Sequence, residues 1–376
     1  MMRRGFIVLS PFIFYIFLFS CTVAQRLPDT VKFIHDTTEI SLLFAGDVMG
    51  HMPQISSAYD SSTGKYDFNP VFSLVKQNIS NADIAVANLE TTLAGPPFSG
   101  YPQFSAPDSL AAALKNAGFD ILITANNHCL DRGSQGLERT VEMLDSFKIL
   151  RTGTFINDSL RNIEYPLFVT VKGIKLAILN YTYGTNGLQV RKPNVVNYID
   201  TAQIRKDINK AKAQKAEYII TTIHWGIEYQ NKENAEQQNI ANFLLNTGTD
   251  LVIGSHPHVV QPVEKRYNTA DSSQFNIVVY SLGNYVSNQR DRYKDGGIMF
   301  NLKLQKTDKV RLIDYTCTPS WVFKGTLDNK LQYKIIPVVN DSTSLPEWLD
   351  NESRSNAIRF FNDTKGLLSN VPISEN

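Results

Sequence analysis

Cysteine is scarce, with three residues in a chain of 376, at Cys21, Cys129 and Cys317. That number excludes a disulfide-stapled fold and a thiolate zinc cluster, which need several closely spaced cysteines. Cys129 and Cys317 read as buried thiols, and their pattern leaves open whether they pair. A charge excess is missing as well: 37 basic residues face 36 acidic ones. Arg3 and Arg4 lie in a segment expected to be removed, which leaves 35 basic residues of the 37, and a net charge of −1. Such a balance gives no support to nucleic-acid or polybasic membrane binding. Repeats and low-complexity tracts are absent. Beyond the N-terminus, no apolar run reaches the ~20 residues that a membrane span requires.

The N-terminus itself is informative. Two arginines precede an almost wholly apolar stretch from Phe6 to Phe19, which ends in Leu18-Phe19-Ser20-Cys21. A basic start, an apolar core of about 15 residues and a small residue before the cut describe a secretory signal peptide. A cysteine directly after Leu-x-Ser resembles a bacterial lipobox, whose cysteine becomes the acylated first residue of the mature protein. The expectation is a lipoprotein signal peptide over residues 1–20, lipid attachment at Cys21 and a tether over 21–39. The chain would then be lipid-anchored in the cell envelope, facing the periplasm or the exterior.

What is present is an ordinary globular composition, 43% hydrophobic and 19% charged, arranged in alternating strand and helix patterns. Apolar runs at Ile40–Ala45, Ile84–Ala87, Ile121–Thr124, Ile174–Leu179, Tyr218–Ile223, Leu251–Ile253 and Ile277–Tyr280 read as strands. Helical spacing falls between them at Val71–Ile79, Leu110–Ala117, Leu137–Phe147, Ala202–Ala216 and Ala235–Leu245. This alternation predicts an α/β layered fold with a covered sheet. From about Gly297 the pattern changes to a strand pair, Ile298–Leu304 and Val310–Thr316, then a strand over Tyr333–Val339. A helix is expected over Glu347–Leu367, within a C-terminal helical extension at 341–376.

Six histidines are present. His35 falls in the tether. The other five, His51, His128, His224, His256 and His258, each stand at or just past the C-terminal end of a predicted strand. His256 and His258 are two apart around Pro257, and in extended backbone residues i and i+2 point to one side. Asp47, Glu90, Asn126-Asn127, Glu228 and Asn284 are delivered to the same edge. In open α/β sheets that edge is where ligands bind. Each residue has a plain structural explanation: Asp47 as a cap, the Asn pair as left-handed turn residues, Glu90 as a solvated side chain, His224 as a core histidine. Their joint placement is what points to a site.

Imidazole, carboxylate and carboxamide groups without thiolate suit Zn, Mn or Fe. So many donors can hold two divalent metal ions, which together clamp the attacking and leaving oxygens of a phosphoryl displacement. One carboxylate then bridges, and one imidazole remains to protonate the leaving group.

These residues sit in six ordered motifs: Gly-Asp-Val-Met (46–49), Ala-Asn-Leu-Glu (87–90), Ala-Asn-Asn-His (125–128) with Asp131, His-Trp-Gly-Ile-Glu-Tyr (224–229), Gly-Ser-His-Pro-His-Val-Val-Gln (254–261) and Ser-Leu-Gly-Asn-Tyr (281–285). In them the chain resembles the bacterial capsule-synthesis CapA family, also described as poly-γ-glutamate biosynthesis proteins, over residues 40–340. That family in turn resembles the calcineurin-like metallophosphoesterases. The resemblance implies a four-layer αββα sandwich and a dinuclear centre. It implies Asp47 and His258 on the first metal, with His51 as a further imidazole. It places Glu90 as the bridge, and Asn127, His224 and His256 on the second metal. His128 would be the general acid, oriented by Asp131. Glu228 has no counterpart in the phosphoesterase pattern and is expected as a substitute ligand or a substrate contact. Tyr229, Asn284 and Tyr285 would line the substrate cleft with it, with edge packing as their alternative. The chain departs from the phosphoesterase pattern in its Asp47-x-x-x-His51 spacing, in a Glu for the bridge and in having Cys129 directly after His128.

Three functions follow from this. The first is an envelope hydrolase of the phosphoesterase type, acting on an anionic polymer or phosphoester in capsule biosynthesis. The second is a non-catalytic polymer-binding scaffold among capsule synthesis proteins. The third is a metal-dependent amide hydrolase.

Overall fold

The computed structural model describes residues 37–267, 275–339 and 344–374. The expected signal peptide, Cys21 and most of the tether lie outside the described residues.

The chain builds half of one sheet, then a second sheet, then returns to complete the first. β1 (Thr38–Val48), β2 (Ile84–Leu89), β3 (Ile121–Ile123) and β4 (Leu150–Thr152) run parallel in that order. The second sheet takes β5 (Leu167–Val171), β6 (Ile174–Thr182), β7 (Tyr218–His224), β8 (Leu251–Ser255), β9 (Val263–Tyr267) and β10 (Phe275–Val279). Its central strands β6, β7, β8 and β10 are parallel. β11 (Asn284–Val286) then pairs with the end of β1. β12 (Gly296–Lys306), β13 (Val310–Leu327) and β14 (Lys330–Pro337) extend the first sheet antiparallel beyond β1.

Strand periodicity explains the layering. In the first sheet Ile40, Leu42, Phe44, Ile84, Val86, Ile121 and Ile123 join one core with Leu176, Ile178, Ile220, Leu251, Ile253 and Val279 of the second sheet. The alternate residues of the first sheet, among them Leu43, Ala45, Ala85, Ala87 and Leu122, join helix residues such as Ile55, Phe72, Ile79, Leu110 and Leu114. In the second sheet Ala177, Leu179, Ile219, Ile223 and Val252 pack with Ile204, Ile208, Ala241 and Leu244. The central strands of both sheets are therefore buried on both faces, which is why the sequence shows continuous apolar runs there. The result is the four-layer α/β/β/α arrangement.

The outer helices are α1 (Met52–Ala58), α2 (Asn69–Phe72), α3 (Lys76–Ser80), α4 (Ser109–Ala117) and α5 (Gly133–Ser146) by the first sheet, and α6 (Asp158–Glu164), α7 (Thr201–Ala213) and α8 (Ala235–Thr247) by the second. Their ends follow local chemistry. Asn234 and Gln237 form a capping box on α8, and Gly248 closes it at φ 112°. The single helix expected over Val71–Ile79 is two short ones, α2 and α3. Ser73 Oγ and Ser73 N–H both bond Pro70 O, and Val75 N–H bonds Phe72 O. These three-residue spacings replace the α-helical ladder there. α9 (Asn351–Leu367) starts four residues later than expected, where Asp350 caps Ser353 N–H at 2.7 Å. Its Ala357, Phe360 and Phe361 join the core between the sheets. Cys129 and Cys317 are free and buried. No helix among the described residues is long and apolar enough to cross a membrane.

Candidate metal centre

The C-terminal ends of β1, β2 and β3 meet those of β6, β7 and β8 at one edge of the sandwich, and the polar residues gather there. Asp47 is the penultimate residue of β1, and Glu90 follows β2 directly. Both are fully buried. Asn88 Nδ2 donates to Asp47 Oδ1 at 2.8 Å, and Asn126 Nδ2 donates to Asn88 Oδ1 at 3.1 Å. A carboxamide chain thus ties three strand ends together beneath the carboxylates.

The second sheet supplies the imidazoles. His224 ends β7. Its Nδ1 lies 3.1 Å from Ser255 Oγ, while its Nε2 lies 2.8 Å from Asn127 Oδ1 and 3.5 Å from Glu90 Oε1. His258 Nδ1 lies 3.1 Å from Asn284 Oδ1 and 3.2 Å from Asp47 Oδ2, with Nε2 at 3.7 Å from Glu90 Oε1. A partner on Nδ1 orients each ring and leaves Nε2 to face the centre.

The histidine pair is not extended, contrary to the expectation from its spacing. β8 ends at Ser255, and His256 and His258 take positive φ values of 100° and 58°. Their rings still converge, with centroids 5.8 Å apart. The turn brings them together, and long-range bonds hold it. His256 N–H donates to Asp47 Oδ2 at 3.3 Å, and Tyr229 N–H donates to Pro257 O at 2.8 Å. Left-handed backbone at two non-glycine residues costs of order 1 kcal/mol each, and such strain concentrates at functional sites. Glycine is required just upstream: a Cβ on Gly254 would lie 2.0 Å from Tyr280 O.

Electrostatics separate the roles. Burial drives His224 down to about 3 and His256 down to about 2, so both are neutral at pH 7. Burial works to raise Asp47, but the bond to His258, the charges of His258 and His224 and the bond from Asn88 together outweigh it and hold the carboxyl at about 2. Burial, then repulsion from Asp47, pushes Glu90 well above the usual carboxylate range. Burial works to lower His258, but the charges of Glu90 and Asp47 lift it to about 9. Glu90 Oε1 and His256 Nδ1 are buried without a hydrogen-bond partner among the described residues. Unpartnered buried polar atoms are costly, and a ligand absent from the protein chain is the usual explanation.

Those two residues belong to three overlapping donor groups. Glu90, His224 and His256 form one, Asp47, Glu90 and His258 another, and Glu228, His256 and His258 a third. Within each, the ligand atoms lie within 4.8 Å of one another. Two donors at opposite sides of a first-row ion stand about 4 Å apart, so small adjustments close each group on a cation. The donor set fits a divalent transition metal and excludes a thiolate site.

His128 sits beside these groups rather than in them. Its Nδ1 lies 2.7 Å from Asp131 Oδ2, which also accepts Phe104 N–H at 2.7 Å. Burial works to lower this imidazole, but the bond to Asp131 and the charges of Glu90 and Asp131 together outweigh it and raise its pKa. His51 is likewise outside the three groups. It caps α1, its Nδ1 lying 3.1 Å from Gln54 Oε1 and 3.3 Å from Asn288 N. Burial drives it to about 4.

Of the expected cleft residues, Tyr229 is 44% exposed, its ring 6.1 Å from that of His258. Glu228 beside it reaches His256 and His258. Asn284 is fully buried and supports His258 instead, donating to Gln289 Oε1 and Lys294 O. Tyr285 is turned away from the cleft. Its ring is buried in the helix-side core against Phe72 and Phe119, because successive strand residues face opposite ways. Sequence reasoning missed Tyr183 and Asn186. Tyr183 stands 4.6 Å from His256, centroid to centroid, and Asn186 Oδ1 accepts from Asn127 Nδ2 at 3.1 Å. Both follow the C-terminal end of β6, so the rule that found the other residues would have found these.

Residues 41–289 match the family described as bacterial capsule synthesis protein PGA_cap. The capsule biosynthesis protein CapA of Bacillus anthracis is 26% identical over 76% of this chain and 69% of its own length. The PGA biosynthesis protein CapA of Bacillus subtilis (strain 168) is 27% identical over 77% of this chain and 76% of its own length. Among solved structures, the NAD nucleotidase of Haemophilus influenzae is similar at a TM-score of 0.49 and 17% identity. That match covers 90% of this chain and 65% of the nucleotidase.

Proposed function

The chain belongs to the bacterial capsule synthesis protein family PGA_cap, and on that premise we propose that it is a metal-dependent hydrolase of the phosphoester type. It would act on an anionic polymer or its phosphoester-linked precursor in the cell envelope. The observation that carries this reading is Glu90, whose Oε1 is unpartnered and whose carboxylate belongs at once to the His224–His256 group and to the Asp47–His258 group. One buried carboxylate shared by two donor groups is the arrangement that a bridged pair of cations needs.

In this reading Asp47 and His258 would hold one divalent ion, His224, His256 and Asn127 would hold the other, and Glu90 would serve both sets. Bound there, such ions would polarise the scissile centre and lower the pKa of water. The chain's own residues supply the rest. Asp131 holds His128 Nδ1, and its bond and charge favour the imidazolium, raising the pKa of the ring. The ring is packed edge-on against Phe104, at 4.7 Å between centroids, so it is oriented to give a proton to the leaving oxygen. Asn88 and Asn284 keep the carboxylate and imidazole donors in place. Tyr183 and Tyr229, both partly exposed beside His256 and His258, flank the way in.

Attachment to the envelope through a lipid on Cys21 belongs to the same proposal. Incorporation of a labelled fatty acid into wild type but not Cys21→Ser tests it.

The central test is elemental analysis of residues 22–376 as wild type and as His256→Ala. About two equivalents of Mn, Zn or Fe, falling in the variant, are expected for a dinuclear site. Loaded protein is then assayed on phosphodiesters, phosphomonoesters and γ-glutamyl amides, the last reading out amide hydrolysis by the same centre. Protein that takes up no metal even after reconstitution overturns the hydrolase reading.

A further inference from the structure

Beside the general acid lies a recess of about 540 Å³ that the proposed mechanism does not use. Its floor is apolar, with Leu130 and Leu188, and its walls carry Arg132, Arg191 and Gln103. No carboxylate among the described residues lies within ion-pair distance of either guanidinium. The polar contact given for the Arg132 side chain is to a neutral group, Ser99 Oγ at 3.1 Å. Arg191 is exposed. Asp131 also lines the recess, but its Oδ2 is committed to His128 Nδ1 and Phe104 N–H. The recess therefore presents two guanidinium groups, neither in an ion pair among the described residues, against the single carboxylate of Asp131.

Both walls are anchored to the candidate centre. Gln103 adjoins Phe104, whose N–H holds Asp131 and whose ring packs on His128. Leu188 belongs to the segment after β6 that also carries Tyr183 and Asn186, which touch His256 and Asn127. A group in the recess is thus separated from the His128 imidazole only by the Asp131 carboxylate. Arg presents a rigid fork of donors that matches the geometry of carboxylate and phosphate oxygens.

We propose that this recess is the subsite for an anionic group on the part of the substrate that departs with the proton from His128. The inference rests on the hydrolase reading for that direction, and on the recess alone for the anion. Carboxylate and phosphate share the chemistry, so two probes distinguish them: a γ-linked glutamate oligomer and inorganic phosphate.

Calorimetric titration of residues 22–376 compares wild type, R132Q/R191Q and R132K/R191K, with metal content measured on each. The glutamine variant is expected to bind one of the probes at least about tenfold more weakly, a loss of about 1.4 kcal/mol. The lysine variant, which keeps the charge and loses the fork, should recover part of that affinity, which a merely structural role for the arginines would not produce. Metal content should be equal in all three proteins. Loss confined to the oligomer identifies a carboxylate, and loss confined to phosphate identifies a phosphate. On any substrate hydrolysed, KM should rise with little change in kcat. Equal affinity of wild type and R132Q/R191Q for both probes, or binding of neither probe by wild type, overturns the proposal. His256→Ala separates the two readings: it should lose metal and keep the arginine-dependent binding. Hydrolysis can therefore fail while the anion subsite stands.

Discussion

Asp131 Oδ2 lies 2.7 Å from His128 Nδ1 and takes Phe104 N–H at the same distance. One carboxylate oxygen therefore orients the imidazole and pins the segment whose ring packs against it. The contact spans a single turn of backbone, closed by Asp131 N–H on His128 O at 3.2 Å.

The His128 imidazolium depends on that carboxylate. In metal-free wild type its pKa is raised, since the bond to Asp131 and the charges of Glu90 and Asp131 together outweigh burial. In Asp131→Asn only burial and weaker charges remain, and the pKa should fall below 6.5. The asparagine carbonyl still accepts Phe104 N–H, so the fold is kept. NMR titration of the His128 ring reads the difference, and a pKa unchanged in the variant would show that Asp131 does not hold the proton. On a hydrolysed substrate, loss of such an orienting partner should cost about 10–100-fold in kcat.

Glu90 should trade stability for metal binding. It is fully buried, and burial followed by repulsion from Asp47 raises its pKa well above the usual range. A folded pKa above the unfolded one means that stability is lost as pH rises, because the buried carboxylate resists ionising. Glu90→Gln mimics the protonated form. Metal-stripped E90Q should be roughly 1–3 kcal/mol more stable than metal-stripped wild type at pH 8, while binding less metal. Urea denaturation and elemental analysis measure the two effects. A less stable E90Q would contradict this account of the carboxylate.

Asp250 supplies a pH dependence far from the centre. Burial raises its carboxyl from 3.8 to about 6, partly offset by the bond from Ile219 N–H at 2.7 Å. Between pH 4 and 6 the unfolded chain ionises this group while the folded one keeps its proton. Wild type should therefore lose up to about 3 kcal/mol relative to Asp250→Asn across that window. Parallel denaturation curves from pH 4 to 7 test this, and a constant gap between the two proteins would refute it.

Gly254→Ala should be among the most damaging single changes. The added Cβ would meet Tyr280 O at 2.0 Å and Trp225 Nε1 at 2.5 Å. The first is backbone of the neighbouring β10 end and cannot swing away, so strand separation at the base of the His256–His258 turn must follow. A loss of at least about 3 kcal/mol is expected, with reduced metal uptake. Thermal denaturation showing a wild-type midpoint would mean that the strands have room to part.

Much of this architecture was legible in the chain. Runs such as Ile40–Ala45 and Tyr218–Ile223 announce strands because both faces of each sheet are covered, and Asp47, Glu90, His128 and His224 stand where those runs stop. Local pattern reports burial and periodicity, so it marks where a polar residue leaves the core. It does not report backbone handedness or which residues meet across the sandwich. The convergence of His256 and His258 depends on positive φ values stabilised by Asp47, 209 residues away from His256. Tyr229 at the opening and Tyr285 in the helix-side core have equivalent motif positions in the sequence, and only packing separates them. Asn284 reads as a cleft residue and becomes a support because His258, Gln289 and Lys294 consume its hydrogen bonds. Composition and strand pattern determined the layers and the edge that carries the polar groups. The tertiary structure decided which groups face one another, because those distances are set by contacts between strands that the chain reaches only after crossing from one sheet to the other.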